Sequence, residues 1–274
     1  MSEDKSPDWQ QVNQWWRTDI IDMEPGRIAI RGYEIQDLIG RLSFSQMIWL
    51  MTRGDLPTPA QAALFEAALV AAVDHGPQAP SIAMARMAMT CGVGINNAMA
   101  SAVNALGDVH GGAGEAAAQL YHDIDADAVS PLADAVAAGL VRFRAASGPY
   151  IPGFGHRFHP VDPRAPRLMA LVAQAVAAGT VTGRFRAIAL AIEVQLAVEK
   201  SRPIPMNIDG ATAVIFTELG FDPGLQRGLF CLSRSVGILA HADEQRRQGG
   251  RNKGPTPPAY RWNYTGPRGR DLPE

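Results

Sequence analysis

Between residues 82 and 106 the chain reads "IAMARMAMTCGVGINNAMASAVNAL". Met84, Met87, Ala88, Cys91, Ile95, Ala98, Met99, Ala102 and Leu106 recur at intervals of three and four. That spacing lines one face of an α-helix and no face of a strand. It predicts one long helix, capped by Ser81 and running to about Leu106. Gly92, Gly94, Ala98 and Ala100 are small, so a second backbone can approach closely. The helix is therefore expected at the centre of the molecule and as a candidate subunit contact. Arg86, Asn96, Asn97 and Asn104 interrupt the stripe, which does not suit a lipid-facing helix.

The same period recurs along the chain. Residues 35–52 read as helical. Leu56-Pro57-Thr58-Pro59 is a stop followed by a start, with Thr58 as N-cap, Pro59 at the first helical position and the helix reaching about His75. Further helices are expected at about 115–127, 130–146, 165–178, 184–200, 210–219 and 223–248. Strands are confined to short pieces around Arg27–Tyr33. From Gly249 the chain is rich in Gly, Pro and Arg and reads as an irregular arm. The fold class is all-α. The expected organisation is a large domain in two parts, residues 1–112 and 223–274, with a smaller helical domain at 113–222 inserted between them.

Composition excludes several functions. Apolar residues make up 47% and charged residues 19% of 274 positions, which suits a buried core. A net charge of −2 argues against nucleic acid as a partner. The polar opening "MSEDKSPDWQQVNQWW" has no apolar leader core, and no membrane span is visible, so a cytoplasmic protein is expected. Cys91 and Cys231 lie in apolar helical patterns and read as small core residues. No metal-ligand spacing occurs, and no metal is expected.

Three stretches place ionisable groups beside glycine. In "GDVHGGAGEAA", residues 107–117, His110 precedes two glycines and a helix start, where backbone N–H groups favour anions. Alone, it also reads as an ordinary helix–helix turn. In "PGFGHRFHPVDPRAPRL", residues 152–168, His156 follows Gly153-Phe154-Gly155, with Arg157 and His159 nearby. Asp162 is placed as an N-cap and Pro163 at the first helical position. Arg164 then sits in a helix's first turn, against the dipole, and an anionic ligand would repair that conflict. In "RPIPMNIDGATAVIF", residues 202–216, either Asn207 or Asp209 starts a helix. Asp209 reads as a cap or as a base.

Taken together, these stretches resemble the citrate synthase superfamily, including the citryl-CoA lyases and the citrate-synthase-like module of ATP-citrate lyase. The matching pieces are "DHGP" (74–77), "VHGGAGEAA" (109–117), "GFGHRFHPVDPRA" (153–165), "NIDG" (207–210) and "SRSVGILAHADEQR" (233–246), in family order from about residue 27. The wording leans towards the lyase.

The resemblance implies a two-domain helical fold whose smaller domain closes over a cleft. It assigns catalysis to His110, His156 and Asp209, and citrate carboxylates to His75, Arg164 and Arg234. The Gly153, Phe154 and Gly155 loop, with Arg157, falls to coenzyme A. The expected reaction is cleavage of citryl-CoA to oxaloacetate and acetyl-CoA. His156 accepts the hydroxyl proton, His110 stabilises the enolate and Asp209 protonates its carbon. The substrates are small molecules and a CoA thioester. A homodimer or larger homo-oligomer is expected. Ordinary citrate synthases carry a further arginine near the C-terminus that reaches the partner's site. In "RNKGPTPPAYRWNYTGP" nothing matches it cleanly, and Arg251 and Arg261 are candidates. A citrate or 2-methylcitrate synthase is the alternative, and a non-catalytic CoA-binding regulatory subunit a further one.

Overall fold

The computed structural model describes residues 14–127 and 131–273. Most of the polar opening on which the no-leader expectation rests therefore lies outside the described residues. The first elements form a small antiparallel meander, β1 (Ile21–Glu24), β2 (Arg27–Ile30) and β3 (Tyr33–Glu34), with Ile21 opposite Ile30 and Ala29 opposite Glu34. Arg31 and Gly32 both take positive φ between β2 and β3, as a tight two-residue hairpin demands.

All other named elements are helical. A single turn, α1 (Ile35–Leu38), is followed by α2 (Phe44–Arg53) and α3 (Pro59–Ala71). The expected helix over 35–52 is thus split. Ser43 starts α2 with a capping box to Gln46, so a new start signal lies inside the periodic run. Thr58 caps α3 through a second capping box with Gln61, and Pro59 opens the helix. The last turn of α3 ends at Ala71, short of His75.

The long helix expected over 82–106 is two helices, α4 (Pro80–Thr90) and α5 (Ile95–Asn104). Gly92 adopts φ +86° between them, a left-handed turn that two nearby glycines make cheap. The apolar stripe survives the break: Ile82 and Ala85 of α4 and Ala98 and Ala102 of α5 bury against one another. Ser81 is not the cap; Ala79 holds that place. Cys91 falls in the turn and is exposed, and Cys231 is only partly buried, so neither is a sealed core residue.

The remaining helices are α6 (Ala113–Asp125), α7 (Leu132–Ser147), α8 (Arg164–Ala177), α9 (Arg184–Lys200), α10 (Ile208–Glu218) and α11 (Pro223–Gln248). The central helix is α10, not the 82–106 segment. From Gly210 through Thr217 every residue of α10 is buried. "GATAVIFT" has no polar face, so it is stable only when surrounded. Helices α3, α6, α8, α9 and α11 surround it. Trp49, Phe65, Phe216 and Phe221 close its far end, with ring centroids 5.2–6.2 Å apart. The main buried cluster draws on residues from Ile48 to Leu229. Ile238 and Ala242 of α11 pack with α4 and α5. Among the described residues beyond Gly249, 250–273, there is no regular structure and most lie exposed, tied at the start by Asn252 and Lys253 to Thr90.

Candidate active site

The site is organised by the C-terminal end of α3. The last carbonyls of a helix lack intrahelical donors. Here side chains from two other helices supply them. Ser233 on α11 donates to the Leu69 carbonyl, and Arg234 Nε donates to that of Ala72 at 3.1 Å. Arg164, the first residue of α8, reaches the Ala71 carbonyl at 3.5 Å. Two arginines from distant parts of the chain therefore meet at one helix end. Arg234 is buried, with its guanidinium 4.7 Å above the Phe230 ring. Burial works against its charge, and the carboxylates of Asp209 and Asp74 support it.

Arg164 carries its own anion. Asp162 takes a two-pronged contact from the guanidinium, at 2.9 and 2.8 Å, and also accepts the Arg164 N–H at 3.1 Å. It further accepts the Ile208 N–H at 3.0 Å, tying α8 to the first turn of α10. Pro163 already has helical dihedrals, and Asp162 before it bonds the Arg164 N–H as a helix cap does. The conflict between Arg164 and the helix dipole is thus repaired inside the protein, without a ligand.

His75 lies in the turn after α3, with its ring 5.6 Å from that of His156. Burial, followed by the charges of Arg164, Arg234 and His156, holds its pKa below the ordinary histidine value. A neutral imidazole beside two arginines suits a hydrogen bond to a carboxylate.

His110 sits in the loop before α6. Its Nε2 lies 3.2 Å from the Ser81 N–H and 2.9 Å from Ser81 Oγ, in the first turn of α4. A ring nitrogen that accepts a backbone N–H carries no proton, so the proton of the neutral ring is on Nδ1. Burial and the Arg234 charge both lower its pKa and keep the ring neutral. Gly111 lets this loop close on α11: a Cβ there would meet the Phe230 ring at 3.2 Å.

His156 is held differently. Its Nδ1 accepts the N–H groups of Phe158 and His159 at 3.0 and 3.1 Å. Burial, with the neighbouring His159 and Arg164, outweighs the pull of Asp162 and lowers its pKa. The neutral ring therefore presents Nε2–H. As it stands the ring is a donor, whereas cleavage asks His156 to accept a proton.

Asp209 is the second residue of α10. Asn207 is the cap, its Oδ1 accepting the N–H groups of Asp209 and Gly210. The Asp209 carboxyl is thus not used for capping. Burial pushes its pKa up against the opposing pull of Arg234 and Arg164. The Gly153–Gly155 loop is the cradle of this helix start. Asn207 donates to both glycine carbonyls, and Gly155 N–H donates to Pro205. A Cβ on Gly153 would lie 2.7 Å from Gly210 Cα, so the approach requires glycine. Phe154 is buried in a bridge with Met206. These contacts use the loop's backbone inside the protein and position Asp209. Arg157 is exposed, with no hydrogen bond or ion pair to the cluster among the described residues.

The arrangement joins three chemical elements around Arg234: a neutral donor imidazole at 110, a desolvated carboxyl at 209, and a corner of His75, His156 and Arg164 whose donors could take a carboxylate. Three contributors escaped the sequence reading. The sequence offers Ser81 and Asp162 only as helix caps and gives Tyr121 no mark of its own. Fully buried, Tyr121 donates to the Gly210 carbonyl at 3.3 Å, beneath Asp209. Only its place in an apolar helix hinted at it.

The citrate synthase, C-terminal domain family matches residues 11–71 and 57–256. The chain is 29% identical over 195 residues to Citrate synthase 2 of Bacillus subtilis, a match covering 70% of this chain and 49% of that protein. It spans about half the length of the first curated relatives it matches. Citryl-CoA lyase from Hydrogenobacter thermophilus superposes with a TM-score of 0.83 at 33% identity, over 94% of this chain and 98% of that one. ATP citrate lyase of Methanosaeta concilii, solved with (3S)-citryl-CoA, shares the fold at a TM-score of 0.76 and 20% identity, over 95% of this chain and 45% of that one.

Proposed function

The chain belongs to the citrate synthase family, and from that premise we propose that it is a citryl-CoA lyase. The observation that carries this reading is the pairing of His110, fixed as a neutral donor, with Asp209, a carboxyl raised by burial, in the field of one buried arginine. Making or protonating a thioester enolate needs a donor where negative charge develops and a carboxyl near the carbon. The choice of cleavage follows the likeness to the Hydrogenobacter lyase over nearly its whole length.

In cleavage the tertiary hydroxyl of citryl-CoA passes its proton to Nε2 of His156, in the tautomer whose ring proton has moved to Nδ1, as the adjacent C–C bond breaks. The bonding pair moves towards the thioester, releasing oxaloacetate. His110 Nδ1–H bonds the enolate oxygen, and Asp209 delivers a proton to the terminal carbon to complete acetyl-CoA. A raised carboxyl pKa suits that delivery. Arg164, Arg234 and His75 hold the carboxylates, with bidentate arginine contacts fixing their orientation. Arg157, exposed beside the glycine loop, meets the CoA phosphates. Residues 113–222 act as the closing lobe that excludes water. We take the protein to work as a homodimer.

A second reading, condensation as a citrate or 2-methylcitrate synthase, is favoured by His156. With Nδ1 doubly engaged, Nε2–H is ready to donate to a ketone oxygen, which is what condensation requires of it. In cleavage the ring must first part with that proton.

Two parallel assays separate the readings. The lyase consumes citryl-CoA rapidly and releases little free thiol from acetyl-CoA plus oxaloacetate; the synthase releases thiol promptly. Asp209→Asn should lower either rate by about 10²–10⁴-fold with an unchanged circular dichroism spectrum. A folded variant with near-normal turnover would remove the assignment.

A further inference from the structure

Of the stretch 233–246, the proposed chemistry uses only Arg234, yet successive turns of α11 all face the same target. Ser233 and Arg234 take the Leu69 and Ala72 carbonyls. One turn on, Gly237 N–H lies 3.1 Å from the Val73 carbonyl. The next turn brings His241 to Asp74, its Nε2 3.3 and 3.4 Å from the two carboxylate oxygens. At 3.6 residues per turn these positions form one stripe, and it tracks the chain from the end of α3 to the residue before His75.

The ring of His241 is fixed on both sides. Nδ1 lies 3.1 Å from Nη1 of Arg86 on α4. Arginine has no lone pair to offer, so Nδ1 accepts and Nε2 carries the proton that goes to Asp74. Arg86 is itself held by Glu244 and by Gln248 Oε1 at 2.8 Å. Asp74 in turn accepts the Gly76 N–H at 3.2 Å, closing the turn that contains His75.

We propose that His241 is a positioning residue: braced by Arg86, it holds the Asp74–Gly76 turn so that His75 faces His156 beside the two arginines. The inference rests on the reading of His75 as a ligand of the oxaloacetate half. His241 touches no substrate; it acts by fixing where an imidazole stands. Partners that orient a ligating side chain commonly change affinity by about 10–100-fold when lost.

The test uses two amide replacements in the full-length protein. In His241→Gln the side-chain nitrogen reaches about as far as Nε2 and keeps the bond to Asp74. In His241→Asn it reaches only as far as Nδ1 and loses it. Oxaloacetate binding is measured by calorimetry with CoA binding as the control, and the His75 ring resonance is followed by NMR without ligand. The expected result is about tenfold weaker oxaloacetate binding and a shifted His75 resonance in the Asn variant. CoA affinity is unchanged in both, and the Gln variant stays close to wild type. Equal oxaloacetate affinity in all three proteins, or a parallel loss of CoA binding and melting temperature, overturns the proposal. A wild-type protein that binds no oxaloacetate while the Asn variant still shifts His75 would sink the functional reading and leave the positioning role standing.

Discussion

Asp162 couples the site to stability. Its side chain is fully buried, which alone would raise its pKa, yet the Arg164 guanidinium and the N–H groups of Arg164 and Ile208 bring it down to about 2. The folded value lies below the unfolded one, so its stabilising effect is complete above about pH 4 and fades as pH falls towards 2. The shift corresponds to about 2 kcal/mol. Asp162→Asn should therefore be less stable than wild type by about that amount at pH 6, with the gap closing in acid. Urea titrations at pH 6 and pH 2.5 read this directly, and a gap of constant size would contradict it. Capping logic found the right residue here and only part of its job, since Asp162 bonds the Arg164 N–H as a cap does but also holds the guanidinium and Ile208. The sequence shows Asp162 two positions before Arg164, but not that Ile208, 46 residues on, needs an acceptor. Ser81 failed the same way, since its partner His110 is 29 residues distant. His110, His156 and Asp209 stand out in the sequence because each sits in a short word beside glycines, several of which the backbone requires.

At the scale of elements, the helices from α6 onwards lie within about two residues of where periodicity puts them, and α9 matches residue for residue. The failures share a cause: period alone does not register a chain that turns and continues in phase. Across Cys91–Gly94 the apolar stripe of α4 resumes on α5, so one stripe looked like one helix. Centrality was likewise given to the wrong segment, because close-approach residues mark contact and not depth. Close approach is decisive instead on α11. A Cβ at Gly237 would lie 2.2 Å from the Val73 carbonyl, a backbone atom that cannot rotate away, and 3.0 Å from Asp74. Gly228, on the same helix, has nothing nearer than 4.0 Å. Gly237→Ala should cost roughly 3 kcal/mol through forced separation of α11 from the end of α3. Gly228→Ala should be neutral or stabilising by up to about 1 kcal/mol, since alanine favours the helix. Chemical denaturation of the pair provides the comparison. Equal effects would mean that α11 is not held against α3 as described.

The whole molecule presents one more consequence of α11. Its inner face builds the site, while Leu232, Val236 and Leu239, spaced four and three apart on the same helix, are 45%, 58% and 43% exposed. Met84 on the adjoining α4 is exposed as well. Of the small residues that suggest a subunit contact, Ala98 is spent within the chain, lying in one buried cluster with Ile238 and Ala242. The outer stripe of α11, together with α4, is the candidate contact surface for a second copy of the chain. Covering the three side chains contributes about 1 kcal/mol each, too little alone, so a stable interface must extend over about 800 Å² per partner and include α4. A two-fold partner would bury the stripe against its own copy and brace from outside the helix that carries Arg234 and His241. Light scattering at micromolar concentration should give twice the 29.3 kDa chain mass. Val236→Asp places an unpaired carboxylate at the middle of the stripe and should yield a folded monomer with weakened oxaloacetate binding. A wild-type monomer, or a Val236→Asp protein that still dimerises, would place the assembly surface elsewhere and leave α11 to be held by α3 and α4 alone.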